Sequence, residues 1–103
     1  MIIQSFFIGR EYSINITVEK ADAAKLNALG IYDWPTRTKE VSKFPWSYNS
    51  QEIAYIIEGE VTVTPKNGGN PVSFGMGDLV TFPAGLSCIW DVKKTLRKHY
   101  HFG

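Results

Sequence analysis

The chain has 103 residues and a net charge of +1, and 44% of its residues are hydrophobic. This length suffices for one domain with a modest core, and this composition excludes an intrinsically disordered chain. The near-neutral charge gives no basis for direct nucleic-acid binding or for an anionic membrane partner, and no apolar run has the length of a transmembrane helix.

The single cysteine, Cys88, excludes an internal disulfide bond and suits a reducing compartment, so we expect a cytoplasmic protein. The first ten residues are apolar but lack the basic region and the small-residue cleavage site of a signal peptide. We therefore expect residues 1–19 to form an N-terminal arm and strand.

The first predicted strand lies between Ser13 and Val18, where apolar and polar residues alternate. The window from Ala21 to Leu29 favours a short helix, with Gly30 as its C-cap. Trp34 and Phe44 each precede a proline, which predicts extended backbone at both positions. We assign no regular element to the polar stretch between them.

From Glu52 onward the sequence is typical of short strands and turns. A proline- and glycine-rich hairpin loop is predicted over residues 65–71, and a tight turn over residues 75–78. Short strands at close, even spacing predict a β-sandwich or a small barrel. The predicted strands cover residues 53–57, 60–64, 72–74, 79–82, 86–92 and 96–102.

The stretch from Gly77 to Cys88, GDLVTFPAGLSC, resembles the second sequence motif of the cupin family. That motif is a glycine, five residues, Pro-x-Gly, and two residues later a histidine that binds metal in many members. Gly77, Pro83 and Gly85 match the motif. The histidine position is occupied by Cys88, so the resemblance implies an intact barrel with an altered metal site.

The first cupin motif is matched by Glu52 and Gly59, which have the expected spacing of six intervening residues. Counting back from Glu52, its two histidine positions fall on Trp46 and Tyr48. In the form of the motif that has four residues instead of three between the second histidine and the glutamate, the two positions fall on Pro45 and Ser47. Neither pair contains a histidine, so the resemblance implies that three of the four usual ligands are replaced.

The likeness covers about residues 42–92, and the chain resembles small single-domain RmlC-like cupins related to the ethanolamine-utilisation Q protein, especially those of cyanobacteria and plants. The segments FPWSY (44–48), IIEGEV (56–61) and KHY (98–100) carry this further resemblance. It implies that residues 1–103 form one all-β domain, a double-stranded β-helix or jelly-roll barrel with one short N-terminal helix. It also implies a homodimer.

The same motifs predict which side chains surround the interior of the barrel. We expect Trp46, Tyr48 and Trp90 to line its mouth and Cys88 to face inward, as part of a site for a small organic ligand. Because a lone buried carboxylate is unfavourable, Glu52 requires a polar partner.

Two-residue periodicity divides the last predicted strand into two faces. We expect Leu96, Lys98 and Tyr100 on the inner face with Phe102, which places Lys98 beside Glu52 and adds Tyr100 to the ligand site. His99 and His101 then lie on the outer face. Glu52 and Lys98 form either a structural ion pair or an acid/base pair.

These expectations lead to three functional hypotheses. The first is metal-independent binding of a small organic molecule, with no cofactor. The second is an enzyme, either an acid/base catalyst using Glu52 or an atypical metal enzyme with a divalent transition metal bound by Glu52, Cys88 and a histidine of the last strand. The third is a protein-interaction module of a cyanobacterial or plastid assembly, which would place the protein in the plastid stroma.

Overall fold

The structure, a computed structural model, describes residues 15–103. The N-terminal arm predicted before residue 15 lies outside the described residues, and the first strand of the described part ends at Lys20. No helix within residues 15–103 has the length and apolar character needed to cross a membrane. The elements in chain order are β1 (Thr17–Lys20), α1 (Ala23–Leu29), a 3₁₀ turn (Ile31–Asp33), β2 (Thr36–Lys39), β3 (Ser42–Ser47), β4 (Glu52–Pro65), β5 (Val72–Gly75), β6 (Asp78–Phe82) and β7 (Ser87–Phe102).

The predicted helix is present but begins at Ala23, two residues later than expected. The reason is capping, because the Asp22 carboxylate accepts a hydrogen bond from the Lys25 N–H at 2.9 Å and so defines the first turn. Gly30 ends the helix in the left-handed conformation, as predicted.

Strands β4 and β7 are each continuous where the sequence predicted two separate strands, so that expectation was wrong. The two strands pair along most of their length, and their register shifts at three points between Ile56 and Val61. Such irregularities bend and twist a strand without ending it. The bend allows each strand to contribute to both layers of the fold.

The two halves of the long strands have different neighbours. One half has the strand order β1-β6-β4-β7-β2, and the other has β5-β4-β7-β3, with every pairing antiparallel. The predicted all-β jelly roll with one short helix is thereby confirmed.

The polar stretch to which no element was assigned forms the whole of β2 and the start of β3. Both strands pair with β7, and the proline in β3 is tolerated because β3 pairs only with β7 among the described strands. The alternation of threonine with basic residues in β2 is a strand signal that the polar composition obscured.

Most of the apolar core lies between the two layers, and a smaller cluster lies on the outer face. The main cluster includes Ile56, Val63 and Phe82, all fully or almost fully buried. In the smaller cluster, Leu26 of α1 and Ile31 of the 3₁₀ turn pack against Leu79. The helix therefore covers the outside of the sheet, and the inner face of β2, β3, β4 and β7 is left to form a site.

Gly59, the glycine of the first motif, lies where β4 crosses closest to β7. Its φ is 122°, which L-residues rarely adopt, and a Cβ atom here would lie 2.8 Å from the Leu96 Cα and 3.0 Å from the Thr95 carbonyl oxygen. Both obstacles are backbone atoms, so neither moves by a change of rotamer. The close contact between the long strands therefore requires glycine.

We predict that Gly59→Ala lowers the free energy of unfolding by about 3 kcal/mol, because backbone strain and steric overlap act together. Gly68→Ala is the matched control, since Gly68 also has a positive φ of 92° but no neighbouring atom within 4 Å of its added Cβ. Backbone strain alone should lower the free energy of unfolding of Gly68→Ala by about 1 kcal/mol. Chemical denaturation measures the stability loss of each variant. Equal losses in the two variants would contradict the claim that steric overlap with β7 adds to the strain at Gly59.

Candidate ligand site in the barrel

A cavity of about 320 Å³ lies between β2, β3, β4 and β7. Strand register explains why its side chains converge, since Arg37 pairs with Lys98 and Phe44 pairs with Trp90, and paired residues share a face. Its walls are largely aromatic and its polar groups are few. The aromatic residues that line it are Phe44, Trp46, Tyr48, Trp90, Tyr100 and Phe102.

A buried ion pair joins Glu52 and Lys98 inside this cavity. The Lys98 Nζ donates a hydrogen bond to Glu52 Oε2 at 2.6 Å, and the two residues are 2% and 8% exposed. The ammonium also lies over the rings of Trp90 and Tyr100, at 5.1 and 5.8 Å from their centroids. Lys98 thus supplies the partner that the buried carboxylate was expected to need.

Two further polar groups of the lining lack hydrogen-bond partners. The Tyr48 hydroxyl and the Trp90 indole N–H are both buried, and neither forms a hydrogen bond of good geometry with any residue from 15 to 103. A buried polar group left unsatisfied costs about 1–3 kcal/mol. Both residues line the cavity, so an acceptor atom of a bound molecule that reached either group would offset this cost.

The Tyr48 hydroxyl stays protonated throughout the physiological range. Burial raises the pKa of Tyr48 far above its ordinary value, and the negative charge of Glu52 raises it further. Cys88 adds to this only at high pH, where its thiolate forms. The nearby Trp90 indole N–H offsets these effects only in part. Tyr48 is therefore a hydrogen-bond donor in the cavity and not a base.

Cys88 faces inward but does not line the cavity. It is fully buried in the main core cluster, with its thiol directed to the Trp46 carbonyl oxygen at an Sγ–O distance of 3.5 Å. Burial raises the pKa of the Cys88 thiol to about 11, against smaller lowering effects of the Trp90 indole N–H and the Lys66 charge. Of the predicted site residues, Cys88 is therefore the one that lies outside the cavity lining.

His99 and His101 lie on the opposite face of β7, packed against the segment that follows α1. The Trp34 carbonyl oxygen is 3.0 Å from His99 Nδ1 and accepts a hydrogen bond from it, and the Trp34 ring stacks on His101 with centroids 5.1 Å apart. The edge of Tyr32 also contacts the His99 ring. Neither imidazole is therefore near Glu52.

The donor atoms present do not fit the transition-metal site that metal-binding cupins have. Within residues 15–103, no three His, Cys, Asp or Glu side chains converge. Glu52 is paired with Lys98, and Cys88 lies in the core. Zinc or iron needs several such ligands around one point.

Six lining residues were not among the predicted site residues: Arg37, Thr38, Lys39, Phe44, Leu96 and Phe102. Leu96 and Phe102 were expected on the inner face of the last strand but were not counted as site residues. Phe44 shares a strand face with Trp46, so period-2 alternation would have found it. Arg37 and Lys39 lie on β2, which was not assigned as a strand. Their alternation with Thr36 and Thr38 is the signal that would have placed both on one face.

The jelly roll, its motif glycines and this interior cavity define the protein as a cupin. The model of the EutQ-like cupin domain family matches residues 26–100, and the chain belongs to that family. No curated protein matches the chain.

Solved structures agree with this assignment. A DUF861 family protein from Thermotoga maritima is 44% identical, with a TM-score of 0.84, and the match covers 86% of this chain and 100% of that one. The EutQ protein of Clostridium difficile is 27% identical, with a TM-score of 0.58 and coverage of 65% and 52%. A putative ethanolamine utilization protein Q from Salmonella typhimurium is 27% identical, with a TM-score of 0.58 and coverage of 65% and 53%. This chain therefore spans about half the length of the two EutQ proteins.

We predict that replacing one partner of the Glu52–Lys98 ion pair destabilises the protein much more than replacing both partners together. Glu52→Gln or Lys98→Met alone leaves a buried charge without its counterion and lowers the free energy of unfolding by about 3 kcal/mol or more. The double variant removes both charges, so we expect its loss to be smaller than the sum of the two. Chemical denaturation of all three variants closes a double-mutant cycle.

The control for this cycle is Glu19→Gln, which breaks the exposed pair between Glu19 and Lys25, 2.9 Å apart. It should change stability by about 0.5 kcal/mol or less. Additive losses in the buried cycle would mean that Glu52 and Lys98 do not stabilise each other.

We also predict that Cys88 is unreactive in the folded protein. With a pKa raised from 9.0 to about 11, its thiolate fraction at pH 8 is about 100-fold below that of an unperturbed thiol, and burial hinders access further. Alkylation at pH 8, followed by mass spectrometry, should label it only after denaturation. Ser87→Cys adds an exposed thiol one residue away as an internal control, and equal labelling of both thiols would contradict the prediction.

Proposed function

We propose that this cupin binds a small organic molecule in its cavity and that it does so without a metal ion. The observation that carries the proposal is the composition of the lining, in which aromatic walls surround a buried ion pair and two unsatisfied polar groups. Small-molecule sites are typically apolar pockets with a few placed polar groups, and volumes begin at about 300 Å³. The cavity volume of about 320 Å³ meets that lower bound.

The lining also supports a division of roles. The exposed rings of Trp46 and Phe102, 45% and 46% exposed, lie where an entering molecule would first contact the site. The Tyr48 hydroxyl and the Trp90 indole N–H would donate to its acceptor atoms. Glu52 and Lys98 would orient its polar end.

An acid/base enzyme is the second candidate, and the specific observation in its favour is the same pair. Glu52 and Lys98 both line the cavity and share a hydrogen bond, so a proton can pass between a bound molecule and Glu52. If the protein is such an enzyme, Glu52→Gln abolishes turnover while the fold persists. The interaction-module hypothesis receives less support, because the cavity of about 320 Å³ is open, and a protein that acts through its outer surface does not require one.

The homodimer, the compartment and the absence of a metal stay predictions from the resemblance and the sequence. Metal content of tag-free protein, prepared without chelator and measured by plasma mass spectrometry, is the first measurement to make. A stoichiometric transition metal would overturn the metal-independent proposal.

Tryptophan fluorescence provides the test of ligand binding, because the chain has three tryptophans in two environments. Trp46 and Trp90 line the cavity, and Trp34 packs on the outer face. We predict that a compound from a library of metabolites quenches the wild-type fluorescence and raises the melting temperature. The fractional quench should fall in Trp46→Phe and rise in Trp34→Phe, because the second change removes only background emission.

These two variants are matched, since each exchanges one indole for a phenyl ring. A quench that is lost in Trp34→Phe but kept in Trp46→Phe would place binding outside the cavity. A library without any quench or any rise in melting temperature would contradict the proposal.

A further inference from the structure

The charge of the cavity lining is unbalanced. Its ionisable residues of fixed charge are Arg37, Lys39 and Lys98 on the positive side and Glu52 on the negative side. In the ion pair, the negative charge of Glu52 neutralises the positive charge of Lys98. Neither Arg37 nor Lys39 forms an ion pair within residues 15–103, so the lining retains two positive charges there.

These two cations lie on the cavity side of β2. Arg37 pairs with Lys98 and Lys39 pairs with Leu96, and both partners are cavity residues. Because the two basic residues are two positions apart on one strand, their Cα atoms are separated by about 7 Å. One small anionic group can therefore contact both side chains.

Aromatic rings hold both cations at the wall of the cavity. The Arg37 Cζ lies 5.1 Å from the Tyr100 ring centroid, and Lys39 Nζ lies 4.7 Å from the Phe44 centroid. Arg37 also donates a hydrogen bond to the Tyr100 hydroxyl, with an Nη2–Oη distance of 3.4 Å. These contacts are weaker than a carboxylate pair and leave donors of the guanidinium and ammonium available.

From this charge and this wall we infer that the molecule bound in the cavity is a ring-bearing organic carboxylate. Its carboxylate would contact Arg37 and Lys39, and its ring would pack against the aromatic wall that includes Trp46. An acceptor atom on another part of the molecule would accept hydrogen bonds from the Tyr48 hydroxyl and the Trp90 indole N–H. The inference rests on the proposed ligand-binding function and adds the chemical class of the ligand.

Benzoate and benzamide test this class, because they share a ring and a shape and differ in charge. We expect the wild-type protein to bind benzoate about tenfold more tightly than benzamide, the effect of one or two charge-assisted hydrogen bonds. Isothermal titration calorimetry and cavity-tryptophan quenching measure both affinities. The preference should decline with added salt, because the two cations are exposed.

A pair of double variants assigns the preference to these two residues. Arg37→Gln combined with Lys39→Gln should bring the ratio of the two affinities close to one. Lys43→Gln combined with Arg97→Gln removes the same charge from positions that do not line the cavity, and should leave the ratio unchanged.

Benzamide binding as tight as that of benzoate, or a preference that survives in the Arg37/Lys39 variant, overturns the carboxylate class and leaves organic-ligand binding in place. If neither probe binds but neutral library compounds quench the cavity tryptophans, the carboxylate class is likewise overturned and organic-ligand binding stands. Failure of both probes and of the whole library overturns the proposed function together with this inference.

Discussion

The pairing of β4 with β7 is the constraint on which the rest of the structure depends. It joins residues 52–65 to residues 88–102, and both layers of the jelly roll are built outward from it. Because the two strands bend together, their inner faces enclose both the apolar core and the cavity beside it. Gly59 makes this possible, since β7 backbone lies where any side chain at that position would be.

The cavity depends on this pairing for its chemistry as well as its shape. Glu52 and Lys98 are 46 positions apart, and only the antiparallel register brings them onto one face, four residue pairs apart along the ladder. A buried charge pair contributes little net stability compared with apolar residues of similar size. Its position beside two unsatisfied donors is the arrangement on which the proposed ligand site rests.

The motif resemblance implies that other residues occupy the positions where metal-binding cupins have their histidines, and the structure shows where those residues lie. Counted back from Glu52, the histidine positions of the first motif fall on Trp46 and Tyr48, or on Pro45 and Ser47 in the longer form of the motif, and the histidine position of the second motif falls on Cys88. Trp46 and Tyr48 line the cavity, whereas the Cys88 thiol is buried in the core. The same backbone that positions metal ligands in other cupins here positions rings and hydrogen-bond donors, and two basic residues of β2 add a charge that the motifs do not contain.

The sequence alone determined the jelly roll, the helix and its glycine cap, and the inward face of the last strand, because motif glycines and two-residue alternation are local properties. Six of the predicted site residues line the cavity for the same reason: Trp46, Tyr48, Glu52, Trp90, Lys98 and Tyr100. Only the tertiary structure decided that Cys88 is core, that two predicted pairs of strands are continuous, and that Arg37 and Lys39 join the site. Those outcomes depend on register and bending between strands far apart in the chain, and no local pattern specifies which long-range neighbours a strand will have.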